Sequence, residues 1–385
     1  MERDGFDAWV LIAREYNEDP VLQTMLPSTW LRTARRRTIL VFTRGGHSRT
    51  AISRYPVGSF PSVWDPATQP DQWEALAEQL SNVDGPIGVN VSSTFALADG
   101  LTLSEYDGLV SALPDQVASH LTGGENLAIG WLETRLEEEV GEFRAACAAA
   151  HGLLRRALSN EVITPGTTTT EDIAWWLRHS LSDAGFGTWF QPGVTLQRQG
   201  DDSLATPADG PQNRTIEPGD LVHIDFGIVT DGYHTDQQQH AYVLRDGETV
   251  APASLTNGLS HANRLQDILM SKMDVGRTGN EVLAAALSDA RNEDIHPIIY
   301  THPLGLHGHA AGATIGLWDN QGMVDGAGDY PISLHTAWSI ELAIEIDVPE
   351  WDGQTIRIML EEDAFLDKGG VRFLDGRQSE LWLIE

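Results

Sequence analysis

The side chains in this chain best suited to chemistry lie in its last third: Asp225, Asp236, His302, Glu341 and the acid pair Glu361-Glu362. An oxygen-rich set with one imidazole suits two borderline divalent ions that share a hydroxide. Such a set predicts a hydrolase rather than a binding scaffold. The segment LVHIDFGIVTDGYHTDQQQHAYVL holds the first two acids and reads as a β-hairpin turning at Asp231-Gly232. If Thr230 pairs with Tyr233, Asp225 faces Gln238 and Asp236 becomes its diagonal neighbour on the same sheet face. Val222, Ile224 and Phe226 then point to the opposite face, toward a core. Two carboxylates converging in strands otherwise patterned for burial are costly unless a cation or proton compensates them.

The remaining ligands come from three more frames. YTHPLGLHGHAAG carries His302 and His309, seven residues apart, with His307 expected to be structural. In WSIELAIEIDVPE, Ile340, Leu342, Ile344, Ile346 and Val348 alternate with Glu341, Ala343, Glu345 and Asp347. Acids and branched residues thus take opposite strand faces, as on any solvent-facing acidic strand. IRIMLEEDAFL offers Glu361 and Glu362 in a further strand, and periodicity does not choose between them.

These frames need a scaffold. The chain has 385 residues and 41% apolar content, which suits two domains with sizeable cores. Residues 1–128 alternate strand-like runs (AWVLIA, RTILVFTR, PIGVNVSS) with helix-like runs (DQWEALAEQLSNV, LTLSEYDGLVSAL), an α/β pattern. His47 and His120 stand alone there and read as solvated or packed. Residues 129–385 form the expected catalytic domain, entered by a charged helix near 132–158 with Leu136, Val140, Phe143 and Cys147 as its buried stripe. Thr168 with Glu171 fits a capping box at the start of the next helix. A formal charge of −31 excludes nucleic acid and anionic membranes as natural partners. A single cysteine, no leader-like start and no apolar run of ~20 residues together predict a cytoplasmic protein.

The order Asp, Asp, His, Glu, Glu in these frames resembles the pita-bread metallopeptidases, in particular the prolidase and aminopeptidase P branch. The resemblance spans nearly the whole chain and is best over the C-terminal 250 residues. It implies an α/β (α+β) protein: a creatinase/prolidase-like N-terminal α/β domain followed by a pita-bread catalytic domain. The eleven-residue spacing of Asp225 and Asp236, the HPLGL frame, the T-I-E-P-like WSIEL and the Glu362-Asp363 pair match the family pattern. The last of these makes Glu362 the expected fifth ligand, over Glu361. The resemblance implies two divalent metals, manganese first and cobalt or zinc next, held by Asp225, Asp236, His302, Glu341 and Glu362. His309 is the expected hydrogen-bond donor to the scissile carbonyl, and Glu341 the expected proton carrier. The implied substrate is an Xaa-Pro peptide, a dipeptide first and a longer peptide second, with a non-peptide small molecule on the same metals as the alternative. A homodimer is implied as well.

Recognition of a free substrate carboxylate calls for arginine, whose planar fork can bind both oxygens. Arg198, Arg357, Arg372 and Arg377 are the candidates, and Trp189 with Phe190 could wall a proline pocket. Several positions depart from the family pattern. Thr301 precedes His302, Ile298 and Ala208 stand where relatives carry accessory histidines, and Gln237, Gln238, Gln239 and His240 follow Asp236. Leu360 stands where an arginine is usual.

Overall fold

The computed structural model describes residues 1–45, 48–201, 204–205 and 213–385. His47 and Ala208 lie outside the described residues. The chain divides into two compact units, Met1–Leu132 and Glu133–Glu385. The expected boundary at 128 falls inside a helix that runs to Glu133.

The first unit is a five-stranded sheet in the order β3-β2-β1-β4-β5. Its strands are β1 (Ala8–Arg14), β2 (Arg37–Thr43), β3 (Ser48–Ile52), β4 (Ile87–Val89) and β5 (Leu121–Gly123). β1 pairs antiparallel with β2 and parallel with β4. Helices α1 (Pro20–Met25), α2 (Gln72–Leu80), α3 (Leu103–Ala112), α4 (Asp115–Ala118) and α5 (Glu125–Glu133) connect the strands. Val10, Ile12, Ile39, Val41 and Ile52 from the sheet bury against Leu76, Leu80 and Leu109 from α2 and α3. Helix α2 starts where Asp71 accepts a hydrogen bond from the Trp73 amide, satisfying one of the donors a helix start leaves unpaired.

The second unit opens with α6 (Glu137–Ala157) and α7 (Thr170–Ala184). The expected 132–158 helix is thus broken at 134–136. Leu136 sits at the N-cap of α6 and is exposed, so the buried stripe starts at Phe143 and continues through Cys147, Ala150 and Leu154. The capping box of α7 is one residue later than expected. Thr169 accepts from the Asp172 amide, and the Asp172 carboxylate accepts from the Thr169 amide. Thr168 instead accepts from the Thr164 amide.

Strands β6 (Gly193–Gln197), β7 (Leu221–Phe226), β10 (Gln237–Val243) and β18 (Trp382–Ile384) make one sheet, with β8 (Val229–Thr230) and β9 (Tyr233–His234) closing the hairpin tip. The hairpin register agrees with the pattern-based expectation: Thr230 opposes Tyr233 and Asp225 opposes Gln238. Val222, Ile224 and Phe226 bury in the core shared with α6 and α7. Helices α8 (Ala253–Met270) and α9 (Gly279–Asn292) cover a second core.

Two further sheets hold the other ligands. One is β11 (Pro297–Ile299), β14 (Leu342–Val348) and β15 (Gln354–Leu360); the other is β12 (His302–Leu304), β13 (Thr336–Ser339), β16 (Asp363–Asp367) and β17 (Gly370–Phe373). Three stretches of chain pass from one sheet to the other, at Tyr300–Thr301, Ile340–Glu341 and Glu361–Glu362. Backbone bonds from Tyr300 to Glu341, Ile340 to Glu362 and Gln238 to Glu361 stitch this crease. Leu342 opposes Leu360 on one side of it and Ser339 opposes Asp363 on the other. Continuing either ladder sets Glu341 against Glu361 and Ile340 against Glu362. Opposed residues share a sheet face, so Glu361 lies with Glu341 and Glu362 does not.

A candidate metal centre

The crease and the hairpin bring Asp225, Asp236, His302, Glu341 and Glu361 together. Ligand atoms of Asp225, Asp236 and Glu361 lie within 4.8 Å of one another, as do those of His302, Glu341 and Glu361. Asp236 also groups with His302 and His309 within the same distance. The result is two adjoining half-sites with Glu361 in both and Asp236 between them.

The fit to a cation is local and physical. His302 Nδ1 lies 3.0 Å from the Pro303 carbonyl, which can only accept, so Nδ1 carries the proton and Nε2 presents a lone pair. Nε2 faces Asp236 Oδ2 at 3.9 Å, Glu341 Oε2 at 4.0 Å and Glu361 Oε1 at 3.8 Å. These separations are too long for hydrogen bonds. Ligand atoms each ~2.1 Å from one ion stand ~3–4 Å apart, so the four atoms are spaced to surround one. His302 Nε2 and Asp236 Oδ1 are buried without a hydrogen-bond partner, an expensive state for polar atoms that a cation would relieve.

The electrostatics agree. Burial, then the charge of Glu361, holds the carboxyl groups of Asp225, Asp236 and Glu341 well above the usual carboxylate range. Burial pushes Glu361 upward too, but the adjacent His302 imidazole, with hydrogen bonds from Ser339 and Gln238, holds it below its ordinary value.

A second layer orients the acids. Gln238 Nε2 donates to Glu361 Oε2 at 2.7 Å and Glu341 Oε1 at 3.1 Å. Its oxygen therefore accepts from His223 Nε2 at 2.9 Å, and His223 Nδ1 accepts from the Thr195 hydroxyl at 3.2 Å. Burial lowers the His223 pKa to about 4, so the ring stays neutral in this relay.

Glu362, the acid expected to bind metal, is placed elsewhere. Its Oε2 meets His151 Nε2 at 2.7 Å, and its Oε1 accepts from the Gln378 amide at 2.9 Å and Gln239 Nε2 at 3.2 Å. His151 Nδ1 also meets Asp375 at 2.9 Å. Burial alone would lower the His151 pKa, but hydrogen bonding and charge from Glu362 and Asp375 outweigh it and raise the value to about 9. Glu362 thus already has a cation, the imidazolium of His151. Asp363 is likewise engaged, by the Asp236 amide, Gln237 and the thiol of Cys147.

Three expected substrate arginines pair with acids elsewhere in the second unit. Arg198 forms a two-pronged pair with buried Asp220 at 2.6 and 2.7 Å and donates to the Thr215 carbonyl. Arg372 pairs with Asp367, and Arg377 with Asp267. The arginine beside the centre is Arg357, which lines a narrow cleft with Gln238, Ile298, Tyr300, Trp318 and Glu341. It holds Glu345 at 2.9 Å and the Ala205 carbonyl at 3.2 Å. The Trp189 ring lies 5.0 Å from that of His309, and its Nε1 donates to the Thr235 carbonyl. The His309 ring is 4.7 Å from the His302 ring, and Tyr300 lies 5.2 Å from His302. Burial, then the nearby acids, raises the Tyr300 pKa, so its phenol remains a donor.

Residues 141–375, which include every member of this centre, match the family described as metallopeptidase family M24. The fold is similar to that of the X-Pro aminopeptidase from Thermotoga maritima MSB8, with TM-score 0.67 and 18% identity over 98% of this chain and 97% of that one. It is similar to an Xaa-Pro dipeptidase from Bacillus anthracis, with TM-score 0.64 and 17% identity over 99% and 96%. It is also similar to the N-terminal domain of the FACT complex subunit SPT16 from Eremothecium gossypii, with TM-score 0.64 and 11% identity over 98% and 94%. No curated protein matches the sequence. Among the described residues, no helix is long and apolar enough to cross a membrane.

Proposed function

The chain belongs to metallopeptidase family M24, and from that membership and the geometry of the centre we propose that it hydrolyses the Xaa-Pro bond of short peptides, dipeptides first. The observation that carries this is the facing of His302 Nε2 and three carboxylate oxygens at 3.8–4.0 Å, beside a second half-site sharing Glu361. Asp225, Asp236 and Glu361 would hold one divalent ion, and His302, Glu341 and Glu361 the other. We take manganese as the natural pair, because carboxylates outnumber imidazole, with cobalt and zinc as substitutes. Bound ions of this kind supply Lewis acidity, lowering the pKa of water and polarising a carbonyl.

The remaining work falls to side chains of this chain. His309 borders the half-site of Asp236 and His302 and is our candidate donor to the carbonyl oxygen as it gains charge. Burial, then His302, depresses its pKa to about 4, so it would act as a neutral ring. Glu341 would carry a proton to the leaving nitrogen. Trp189, packed on His309, would offer an apolar wall for a proline ring. The Glu345 partner of Arg357 has a side chain 36% exposed, and so open an ion pair contributes little. Arg357 could therefore turn to a substrate carboxylate at small cost. A homodimer and a cytoplasmic setting complete the reading, the single thiol being buried against Asp363.

The test is hydrolysis of Ala-Pro against Ala-Pro-Ala, in manganese and after EDTA, with Asp236→Ala as control. Metal-dependent release of proline from the dipeptide supports the dipeptidase, and preference for the tripeptide makes it an aminopeptidase. A metal-loaded protein silent on both would refute the peptide reading. Ile298, the apolar side chain facing the cleft, would then favour a non-peptide substrate on the same metals.

A further inference from the structure

A cavity of about 660 Å³ opens in the first unit, where the end of β1, the start of β2 and the end of β3 meet α2. Arg14, Arg35, Arg36, Arg37 and Arg54 line it, in a chain with only 25 basic residues and a net charge of −31. The acids that line it or pair with these arginines are Glu15 and Glu105, so five guanidinium groups face two carboxylates.

The arrangement is partly preorganised. Buried Glu105 holds Arg37 at 2.6 Å and Arg14 at 3.2 Å, and Arg37 stacks on the Trp73 ring at 4.5 Å. Arg35 stacks on Trp30 at 5.3 Å. Arg36 adopts a left-handed backbone, φ 55°, which an L residue enters only when its surroundings hold it there. Its carbonyl accepts from the Glu15 amide at 2.6 Å, and its own amide donates to the Glu15 carboxylate at 3.4 Å. Among the described residues, neither the Arg36 nor the Arg54 guanidinium forms an ion pair within 4.0 Å. Clustered like charges repel, and bringing them together without a counter-ion is unfavourable. Guanidinium forks match phosphoryl oxygens in pairs, and the volume is that of a small-molecule pocket.

We propose that this cavity binds a small polyanion carrying two or more phosphoryl groups. The source is either an inorganic polyphosphate or a nucleoside polyphosphate, for which Tyr55 and Trp64 in the same wall offer aromatic contact. Its lining residues belong to the first unit, and those of the metal centre belong to the second.

Calorimetric titration of the full metal-loaded chain with tripolyphosphate and with ATP tests this, in low and in physiological salt. Saturable binding is expected, weaker at higher salt because the charges are exposed. Affinity should fall at least tenfold in the Arg36→Gln/Arg54→Gln double variant, and measurably in Arg54→Glu alone. Both residues are exposed and the Glu15 bonds use only the Arg36 backbone, which glutamine keeps, so thermal melts and peptidase activity should match the parent. Binding to Asp236→Ala should be unchanged, which separates this site from capture by active-site metal. Tighter binding of ATP than of tripolyphosphate would assign a nucleotide, and equal binding the inorganic anion. Absence of binding by both ligands overturns the proposal. So does equal binding in the double variant, or loss of binding in Asp236→Ala.

Discussion

Glu361 and Glu362 are chain neighbours with opposite tasks, and two isosteric substitutions separate them. Glu361→Gln removes an oxygen common to both half-sites. Loss of a residue that merely orients a metal ligand costs ~10–100-fold in affinity or activity, so loss of a shared ligand should cost at least ~100-fold in both. Glu362→Gln leaves the centre intact and removes the main partner of His151, whose pKa rises from 6.5 to about 9. The imidazole is 17% exposed and the carboxylate 1%, so solvent screening is small. At ~1.4 kcal/mol per pKa unit, the rise corresponds to ~3 kcal/mol, part of it owed to Asp375. The sign follows from a histidine pKa raised by folding. The stabilisation is fully present below pH 6.5 and is lost as pH climbs through about 9. Glu362→Gln should therefore lower the melting temperature at pH 6 by up to ~6–12 °C, and by much less near pH 10. Metal content by elemental analysis after dialysis, melting curves at the two pH values, and proline release provide the readouts. A Glu362→Gln protein that loses metal while Glu361→Gln keeps it would refute the assignment.

Gln238→Leu should weaken metal binding ~10–100-fold, because Glu341 and Glu361 lose the donor that aims them; metal titration followed by activity checks this. His309→Ala should leave metal content unchanged and lower kcat ~100–1000-fold, as removal of one oxyanion donor does, measured by steady-state kinetics on metal-saturated protein. Arg357→Ala should raise KM for Ala-Pro several-fold and leave that for Ala-Pro-Ala unchanged if this side chain reads the free carboxylate. Removing metal with EDTA should abolish hydrolysis and also lower the melting temperature, because buried carboxylates then repel one another; readdition of manganese should restore both.

The hairpin of Asp225 and Asp236 was legible because a two-residue Asp-Gly turn fixes register, and register fixes faces. The same rule of faces separates Glu361 from Glu362. Ile356, Ile358 and Leu360 alternate into the core shared with Leu342 and Ile344, which sets Arg357, Met359 and Glu361 on the face of Glu341. The family-like Glu-Asp frame pointed one residue further on, and a one-residue slip on a strand moves a side chain to the opposite face. The arginine candidates were not legible for a different reason. An arginine's partner is set by tertiary placement, and Asp220 and Asp267 lie 22 and 110 residues from Arg198 and Arg377. His151 gave no signal at all in the sequence, since its two acids are 211 and 224 residues away.

The glutamine run after Asp236 gains a physical meaning from these placements. Gln237 donates to Asp363, Gln238 to Glu341 and Glu361, and Gln239 to Glu362. Three consecutive amides therefore each orient acids of the ligand strands, and they do so as neutral donors. That matters for the charge of the centre. Asp225, Asp236, Glu341 and Glu361 carry four negative charges when ionised, which two divalent ions would balance before a shared hydroxide is counted. A guanidinium in the place of Gln238 would orient the same oxygens more strongly but set a fixed positive charge beside the cations and repel them in a buried site. It would also stabilise the metal-free acids and so weaken the drive to bind metal. Gln238→Arg should thus lower metal affinity while raising the melting temperature of the metal-free protein. Gln238→Leu should lower affinity and leave the metal-free acids still repelling one another. Opposite shifts in metal-free stability for two variants that both lose metal would show that neutral amides keep this centre dependent on its cations, and equal shifts would refute it.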